Sequence, residues 1–353
     1  SSAIPKDNPE VMAARHNGIP VLKRADFIDE LTAGYYNIAI AGTHGKTTTT
    51  AMIAFILTEA GVSPSYIIGG LSRNLGTNAR AGHGSYFVIE ADEYDRMFLG
   101  IRPNLAVVTN VEMDHPDCFS CIEDVTDAFI TFLRRVPPGG HVIVNGDDRR
   151  LRDMLTEIEV QKVETFGLSR GSDWRAAAVR RNDAGGHTFS VWHEQTVLGP
   201  FELQIPGIHN VLNALAAIAA TTEVGVNLNG IRDSLSRFQG TGRRFEHKGT
   251  ESGTTVIDDY AHHPTEIRAT LAAARARYAG RTVWAIFQPH TYSRLKAFLQ
   301  DFAESFDLAD HVIVTDVFAS RESDTMGVHA ADVVEMMDHQ DARYISGFDA
   351  VLD

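Results

Sequence analysis

Between residues 37 and 148 the chain alternates short, unbroken apolar runs with stretches of helical periodicity. The runs are "NIAIAGT", "YFVIEAD", "LAVVTNV" and "HVIVNGD". Runs with no polar alternation suit parallel strands covered on both faces. After the first of them, "TTTTAMIAFILTEAG" sets Ile53, Ile56, Leu57 and Ala60 on one helical face and ends at Gly61, a natural helix stop. Strand–helix alternation of this kind predicts an α/β domain with a parallel sheet. From about Ala177 to Pro206 the period falls to two, in "HTFSVWHE" and "FELQI". That predicts a small antiparallel patch within the same domain, followed by an alanine-rich helix, "NVLNALAAIAATTEVG". A second α/β block begins after "GTGRRFE", with strands "TVIDDYA", "TVWAIFQP" and "HVIVTDVF" and helices such as "PTEIRATLAAARARYAG". The expected division is a short leading piece over 1–35, a central domain over 36–239 and a second domain over 240–353.

Composition agrees with this pattern. At 353 residues the chain exceeds one ordinary core, and 44% hydrophobic with 22% charged residues describes a globular protein. No apolar stretch approaches the roughly 18 residues needed to span a bilayer. A net charge of -14 argues against generic nucleic-acid or anionic-membrane binding, while leaving room for local positive pockets. Cys118 and Cys121 have C-x-x-C spacing but no second pair. They are expected to be incidental thiols in a reducing cytoplasm, neither a zinc site nor a disulfide framework. The opening "SSAIPKDNPE" has no basic or apolar signal-peptide region and is expected to be a trimmed start.

The chemistry gathers at strand ends. "AGTHGKTTTT" follows the first strand and supplies the parts of a phosphate cradle. Gly42 and Gly45 allow a tight turn, a helix N-terminus lies behind, Lys46 brings a cation and Thr47 a hydroxyl for Mg²⁺. Ile40 stands where the usual P-loop has its first glycine, so a shorter loop variant is expected. The next strand ends in "EADEYD", whose Glu90, Asp92, Glu93 and Asp95 either hold magnesium or form an acidic, solvated loop. The third ends in "TNVEMDHPD", offering Asn110, Asp114 and a candidate metal ligand, His115. Asn210 and Asn213 share a helical face and either read a base edge or cap the helix. Arg243 and Arg244 lie beside glycines at the domain junction, where an arginine can clamp phosphate. Asp258, Asp259, His262 and His263 mark one strand end of the second block, and His290 and Arg294 another.

Together, "GTHGKTTTT", "EADEYD", "TNVEMDHPD", "PGIHNVLNA", "FQGTGRRFE", "DDYAHHPTEI" and "FQPHTYSRL" resemble the Mur ligases, over the whole chain and in the same order. The resemblance is strongest to the branch that joins L-alanine to the lactoyl carboxylate of UDP-N-acetylmuramate. It implies a UDP-sugar domain, a central P-loop ATPase domain and a C-terminal Rossmann-like domain. It implies ATP as the energy source and two Mg²⁺ ions, for which Mn²⁺ can substitute. Gly42, Thr43, His44, Gly45, Lys46, Thr47, Thr48, Asn110, Asn210, Asn213, Arg244, Asp259 and His263 would then surround ATP. Thr47, Glu90 and His115 would hold the metals, and Lys46, Glu90, His115 and Arg244 would carry catalysis. Ser1, Ser2, Gly70, Asn78, Ala79, Arg80, Glu93, His262, His290 and Arg294 would face the substrates, Arg294 meeting the alanine carboxylate. Residues 1–35 would be the tail of the UDP-sugar domain, and the C-terminal domain would be cut short. Two other readings stay open: a murein peptide ligase adding a recycled tripeptide to the same sugar, and a P-loop ATPase switch or nucleotide-binding fragment.

Overall fold

The computed structural model describes Ile4 and residues 7–352; Ser1 and Ser2 lie outside the described residues. Ten strands form one sheet: β1 Tyr36–Ala41, β2 Ser65–Ile67, β3 Ala79–Arg80, β4 Tyr86–Glu90, β5 Leu105–Val108, β6 His141–Asn145, β7 Lys162–Gly167, β8 Trp174–Arg181, β9 His187–His193 and β10 Thr196–Leu203. Their spatial order is β10-β9-β8-β7-β6-β5-β1-β4-β2-β3. The centre is parallel, with Ile38 opposite both Val88 and Leu105. The predicted antiparallel patch is present as β8–β10 and extends the same sheet.

Apolar strand residues go alternately to the two faces, and both faces are covered. Ile38, Ile40, Val107 and Ile143 pack under one helical layer, while Ala39, Ala41, Val108 and Val144 pack against the other. That double burial is why the runs lack polar alternation. The first layer holds α3 (Lys46–Glu59), α6 (Ile208–Glu223) and α7 (Leu228–Ser236), and the second holds α4 (Ile122–Leu133) and α5 (Arg149–Met154). Two short helices, α1 (Pro9–His16) and α2 (Arg24–Thr32), precede the sheet. The single apolar face expected for α3 is too narrow a description. Thr48 through Leu57 are all buried, because α6 and α7 pack on the side away from the sheet. Ala60 is exposed just past the helix end, and Gly61 takes the left-handed turn at φ 74°.

The second block contains a three-stranded parallel sheet of β13 (Trp284–Phe287), β14 (His311–Val314) and β15 (Ala342–Tyr344). One expected member is elsewhere: "TVIDD" forms β12 (Thr254–Asp258), which pairs antiparallel with β11 (Glu246–Glu251) in a separate ribbon. A groove lined by Ile257, Ile267, Leu271, Trp284 and Ile286 parts that ribbon from β13. Helix α8 (Pro264–Arg277) starts beside the ribbon, and α9 (Tyr292–Ala297) follows β13. The two cysteines are free. Among the described residues no helix is long and apolar enough to cross a membrane.

Candidate active site

The carboxyl ends of β1, β4, β5 and β6 open toward the second lobe, and a cavity of about 190 Å³ lies between them. Its walls include Gly45, Thr47, Thr48 and Asn145 from the central lobe and Arg244, Asp259 and Glu266 from the second. An open α/β sheet binds ligands at this edge.

The loop after β1 is built around close backbone approach. Gly42 has φ 132°, and a Cβ there would sit 2.0 Å from Thr109 Oγ1. Gly45, at φ 83° and capping α3, would place a Cβ 2.5 Å from Asn213 Oδ1. No larger residue fits either position without displacing a neighbour. The loop is stitched to the β5 turn. The Thr43 amide donates to Asn110 O (3.0 Å), and the Glu112 amide donates to Thr43 Oγ1 (2.8 Å). Asn110 receives the His44 amide on Oδ1 (2.8 Å) and donates from Nδ2 to the His44 carbonyl (3.0 Å). Asn110 therefore shapes the loop as well as lining the cavity.

Lys46 is largely buried and folded back, donating to Gly42 O (2.6 Å), Thr43 O (3.1 Å) and Glu93 Oε1 (3.0 Å). Burial works against the ammonium, but Glu93, Asp92 and Glu90 hold its pKa above the ordinary lysine range. Thr47 donates to Glu90 Oε1 (3.0 Å), whose Oε2 takes the Gly69 amide (2.6 Å). Burial raises the Glu90 carboxyl. It also lifts Glu93 to about 7, with Lys46 pulling the other way.

The resemblance assigned Glu93 to substrate; the fold pairs it with Lys46 and brings it to the candidate metal centre. Ligand atoms of Asp92, Glu93 and His115 lie within 4.8 Å of one another. His115 Nε2 is 3.7 Å from Glu93 Oε1, and the residue sits at φ 54°. Burial and Arg294 hold its ring below the ordinary histidine range, which favours the neutral form that a metal requires. Two carboxylates and one imidazole are a mostly hard donor set, suited to Mg²⁺ or Mn²⁺. Asp92 is one of the four acids of "EADEYD" that the sequence offers for magnesium, though the resemblance gives it no role of its own. A second three-residue group, His44, Glu112 and His263, lies on the other side of the phosphate loop.

Asn210 and Asn213 line the cavity but are buried and partly committed. Asn213 Nδ2 donates to Asn210 Oδ1 (3.1 Å), and Asn210 Nδ2 donates to Pro206 O (2.6 Å). From the second lobe, Arg244 donates to Glu266 Oε1 (3.2 Å). Asp259 accepts the amides of Phe245 and Ala261, each at 2.7 Å. His263 accepts the Thr265 amide on Nδ1 (3.3 Å), which leaves its Nε2–H to donate across the lobes to Met113 O (3.1 Å). His262 donates from Nδ1 to Tyr260 O (2.8 Å).

Arg294 is only 3% exposed and crosses the cleft. Its Nε donates to Asp114 Oδ1 (2.9 Å), one Nη to His290 Nδ1 (3.0 Å) and the other to His115 Nδ1 (3.4 Å). Despite burial, His115 and Arg294 hold the Asp114 carboxyl well below the usual range. Each Nη keeps one further N–H, enough for a two-pronged contact with a carboxylate. Thr265 Oγ1 donates to Glu112 Oε2 (2.7 Å), a second cross-lobe bond, and Arg321 pairs with Asp117 nearby. Glu112 and Glu266 were missed beforehand, since nothing in their local spacing marks them.

The segment from Gly69 to Arg80 borders this cleft. A Cβ on Gly70 would lie 3.2 Å from Thr47 Cγ2, and the Asn78 carbonyl accepts the Ile68 amide (2.8 Å). Ala79 and Arg80 form the exposed edge strand.

The chain is similar in sequence and fold to known proteins. The Mur ligase middle domain matches residues 40–221, the Mur ligase glutamate ligase domain 243–353 and the Mur ligase family catalytic domain 1–36. The UDP-N-acetylmuramate–L-alanine ligase of Frankia casuarinae is 44% identical over 371 residues, spanning 98% of this chain and 74% of its own. The crystal structure of the UDP-N-acetylmuramate–alanine ligase of Thermotoga maritima superposes with TM-score 0.80 at 29% identity, over 98% of this chain and 75% of that one. A murein peptide ligase from Psychrobacter arcticus gives TM-score 0.72 at 28% identity, over 99% and 78%. With three consecutive domain models matched and a relative at 44% identity along almost its whole length, the chain belongs to the Mur ligase family.

Proposed function

We propose that this chain carries out the ATP-dependent joining of L-alanine to the lactoyl carboxylate of UDP-N-acetylmuramate, in the cytoplasmic synthesis of peptidoglycan precursors. The observation that carries the reading is the cavity shared by the phosphate loop of one lobe and Arg244 and Asp259 of the other. The 44% identical relative, named for that reaction, supports the choice of substrates. In domain terms, residues 36–239 act as the ATP-binding ligase domain and 240–353 as the Rossmann-like ligase domain. Residues 1–35 belong to the UDP-sugar domain.

The chemistry follows from a weak electrophile. A free carboxylate does not yield to an amine, so it must first carry a leaving group. Transfer of the γ-phosphoryl group of ATP gives an acyl phosphate; the alanine amine attacks its carbonyl and phosphate departs. Bringing two anions together calls for cations and in-line placement. The loop amides, Lys46 and Arg244 supply the protein's share, Asn210 and Asn213 face the base, Asp259 the ribose, and His263 lies close by. Magnesium, held by Thr47 and Glu90 at one position and by His115 with Glu93 and Asp92 at another, would cancel further phosphate charge. Glu93 matches Lys46 in this structure and keeps the buried ammonium paired. Gly70, Asn78, Ala79 and Arg80 face the UDP-sugar. His262, His290 and Arg294 face the amino acid, whose carboxylate meets the two remaining Nη–H groups of Arg294. The lobes shield the acyl phosphate from water.

Phosphate release tests the reading, with ATP, UDP-N-acetylmuramate and each candidate amine added in turn. Release that requires both the sugar and L-alanine is the expected result. Preference for a tripeptide would make the chain a murein peptide ligase, and release with neither acceptor would make it an ATPase switch.

A further inference from the structure

The phosphate loop contains one side chain that phosphate chemistry does not explain. His44 stands between Thr43 and Gly45, and its peptide is clamped within the central lobe by Asn110 on both its amide and its carbonyl. Thr109 also donates to that carbonyl. The ring points the other way and meets groups from both lobes. Nε2 lies 3.5 Å from Glu112 Oε2 in the central lobe, and Nδ1 lies 3.3 Å from Glu266 Oε1 in the second. The His263 ring packs against it, centroid to centroid 4.7 Å.

Both carboxylates are themselves shared across the cleft. Glu112 accepts from Thr265 Oγ1. Glu266 accepts from Arg244 and from the His262 amide (3.1 Å). The result is a closed chain of contacts running from the phosphate loop to the second lobe and back.

Two uses fit such a cluster, a transition-metal site or an ionic bridge. Two imidazoles and a carboxylate within 4.8 Å are a plausible set for a zinc-like ion. Against that use, both nitrogens of His263 already have partners, Thr265 and Met113. The carboxylates on either side of His44 also keep its ring protonated: against the pull of burial, Glu112 and Glu266 raise it to about 9. A protonated ring is no metal ligand; it lies at ion-pair distance from one carboxylate of each lobe, although Nε2 makes no hydrogen bond.

We propose that His44 is a positioning residue that couples closure of the second lobe to the shape of the phosphate loop. Closure brings Glu266 onto the ring. The bridged ring fixes the His44 peptide, and with it Gly45 and the first turn of α3. By linkage, a nucleotide that prefers this loop shape favours the closed lobes to the same extent. The inference rests on the cleft being the ATP site, and not on alanine being the amine.

The test is a double-mutant cycle on the full chain, read by calorimetric ATP binding and by hydrogen exchange at the start of α8. His44→Ala and Glu266→Gln are each expected to weaken ATP binding about tenfold, an ordinary size for coupled sites. The double variant should lose scarcely more than either single one, since both remove the same bridge. His44→Gln keeps one donor and should recover part of the loss; it also carries the cycle if His44→Ala folds poorly. Exchange at the start of α8 should rise in every variant, which a purely local role in the loop would not produce. In steady state the ATP KM should rise more than kcat falls. Additive losses, wild-type binding by His44→Ala, or stoichiometric zinc uptake abolished by His44→Ala would each overturn the proposal. Absence of alanine ligation alongside an intact cycle would sink the proposed function and leave this coupling standing.

Discussion

The two walls of the cleft are built by different means. On the central lobe the phosphate loop is a backbone device: Gly42 and Gly45 occupy positions where a Cβ would collide, and Gly45 caps the N-terminus of α3. On the second lobe the wall is made of long side chains held by other charged groups, as Arg294 is by Asp114 and Arg244 by Glu266. A backbone cradle is locally encoded and keeps its shape without a partner. A charged side-chain wall exists only when the lobes meet, so its geometry is a property of closure.

The comparison can be broken most forcefully at Arg294. Arg294→Ala leaves Asp114 buried without its cation, a change that typically costs about 3–5 kcal/mol. Loss of lobe docking should appear as fast hydrogen exchange at Asp114–His115 and in α9. Unchanged exchange there would mean that the second wall does not depend on its ion pairs. Next comes Lys46→Met, which removes the ammonium that the loop offers to phosphate. Ligation should drop by about 10²- to 10³-fold, and the melting temperature should fall less than for Arg294→Ala, because Glu93, already raised to about 7, takes up a proton when its cation is removed. Gly45→Ala sharpens the contrast on the backbone side. A residue at φ 83° that presses on Asn213 should cost about 1–3 kcal/mol, seen as weaker ATP binding. Shortening the neighbour with Asn213→Ala should recover part of the stability lost to the clash, read in a urea titration, without restoring the ATP contact proposed for Asn213 itself. The smallest effect is expected at Arg149, whose exposed pairing with Asp153 is solvated. Arg149→Ala should shift stability by less than about 0.5 kcal/mol in a urea titration.

The same division governs what could be read from the sequence. The parallel sheet, the helix after the phosphate loop and the antiparallel extension were legible, because hydrophobic period and glycine placement are local properties. Lys46, Thr47, Glu90 and His115 were legible as a group, since three strand ends of one sheet must open at the same edge. Glu112 and Glu266 were not, because their importance comes from partners 68 and 222 positions away in His44. Glu93 looked like one more acid in a run; only the folded chain shows it against Lys46. The strand at Thr254–Asp258 was misplaced for a related reason. An apolar run announces a strand but not its neighbour, and this one pairs with Glu246–Glu251.

With β12 drawn aside, β13 presents one unpaired edge, where Trp284 is 52% exposed and Ile286 57% exposed. Open backbone donors flanked by large apolar groups template further strands. Preparations of this polypeptide should therefore self-associate as concentration rises. A charged substitution at Ile286 should suppress that association in sedimentation velocity without disturbing the distant phosphate cradle.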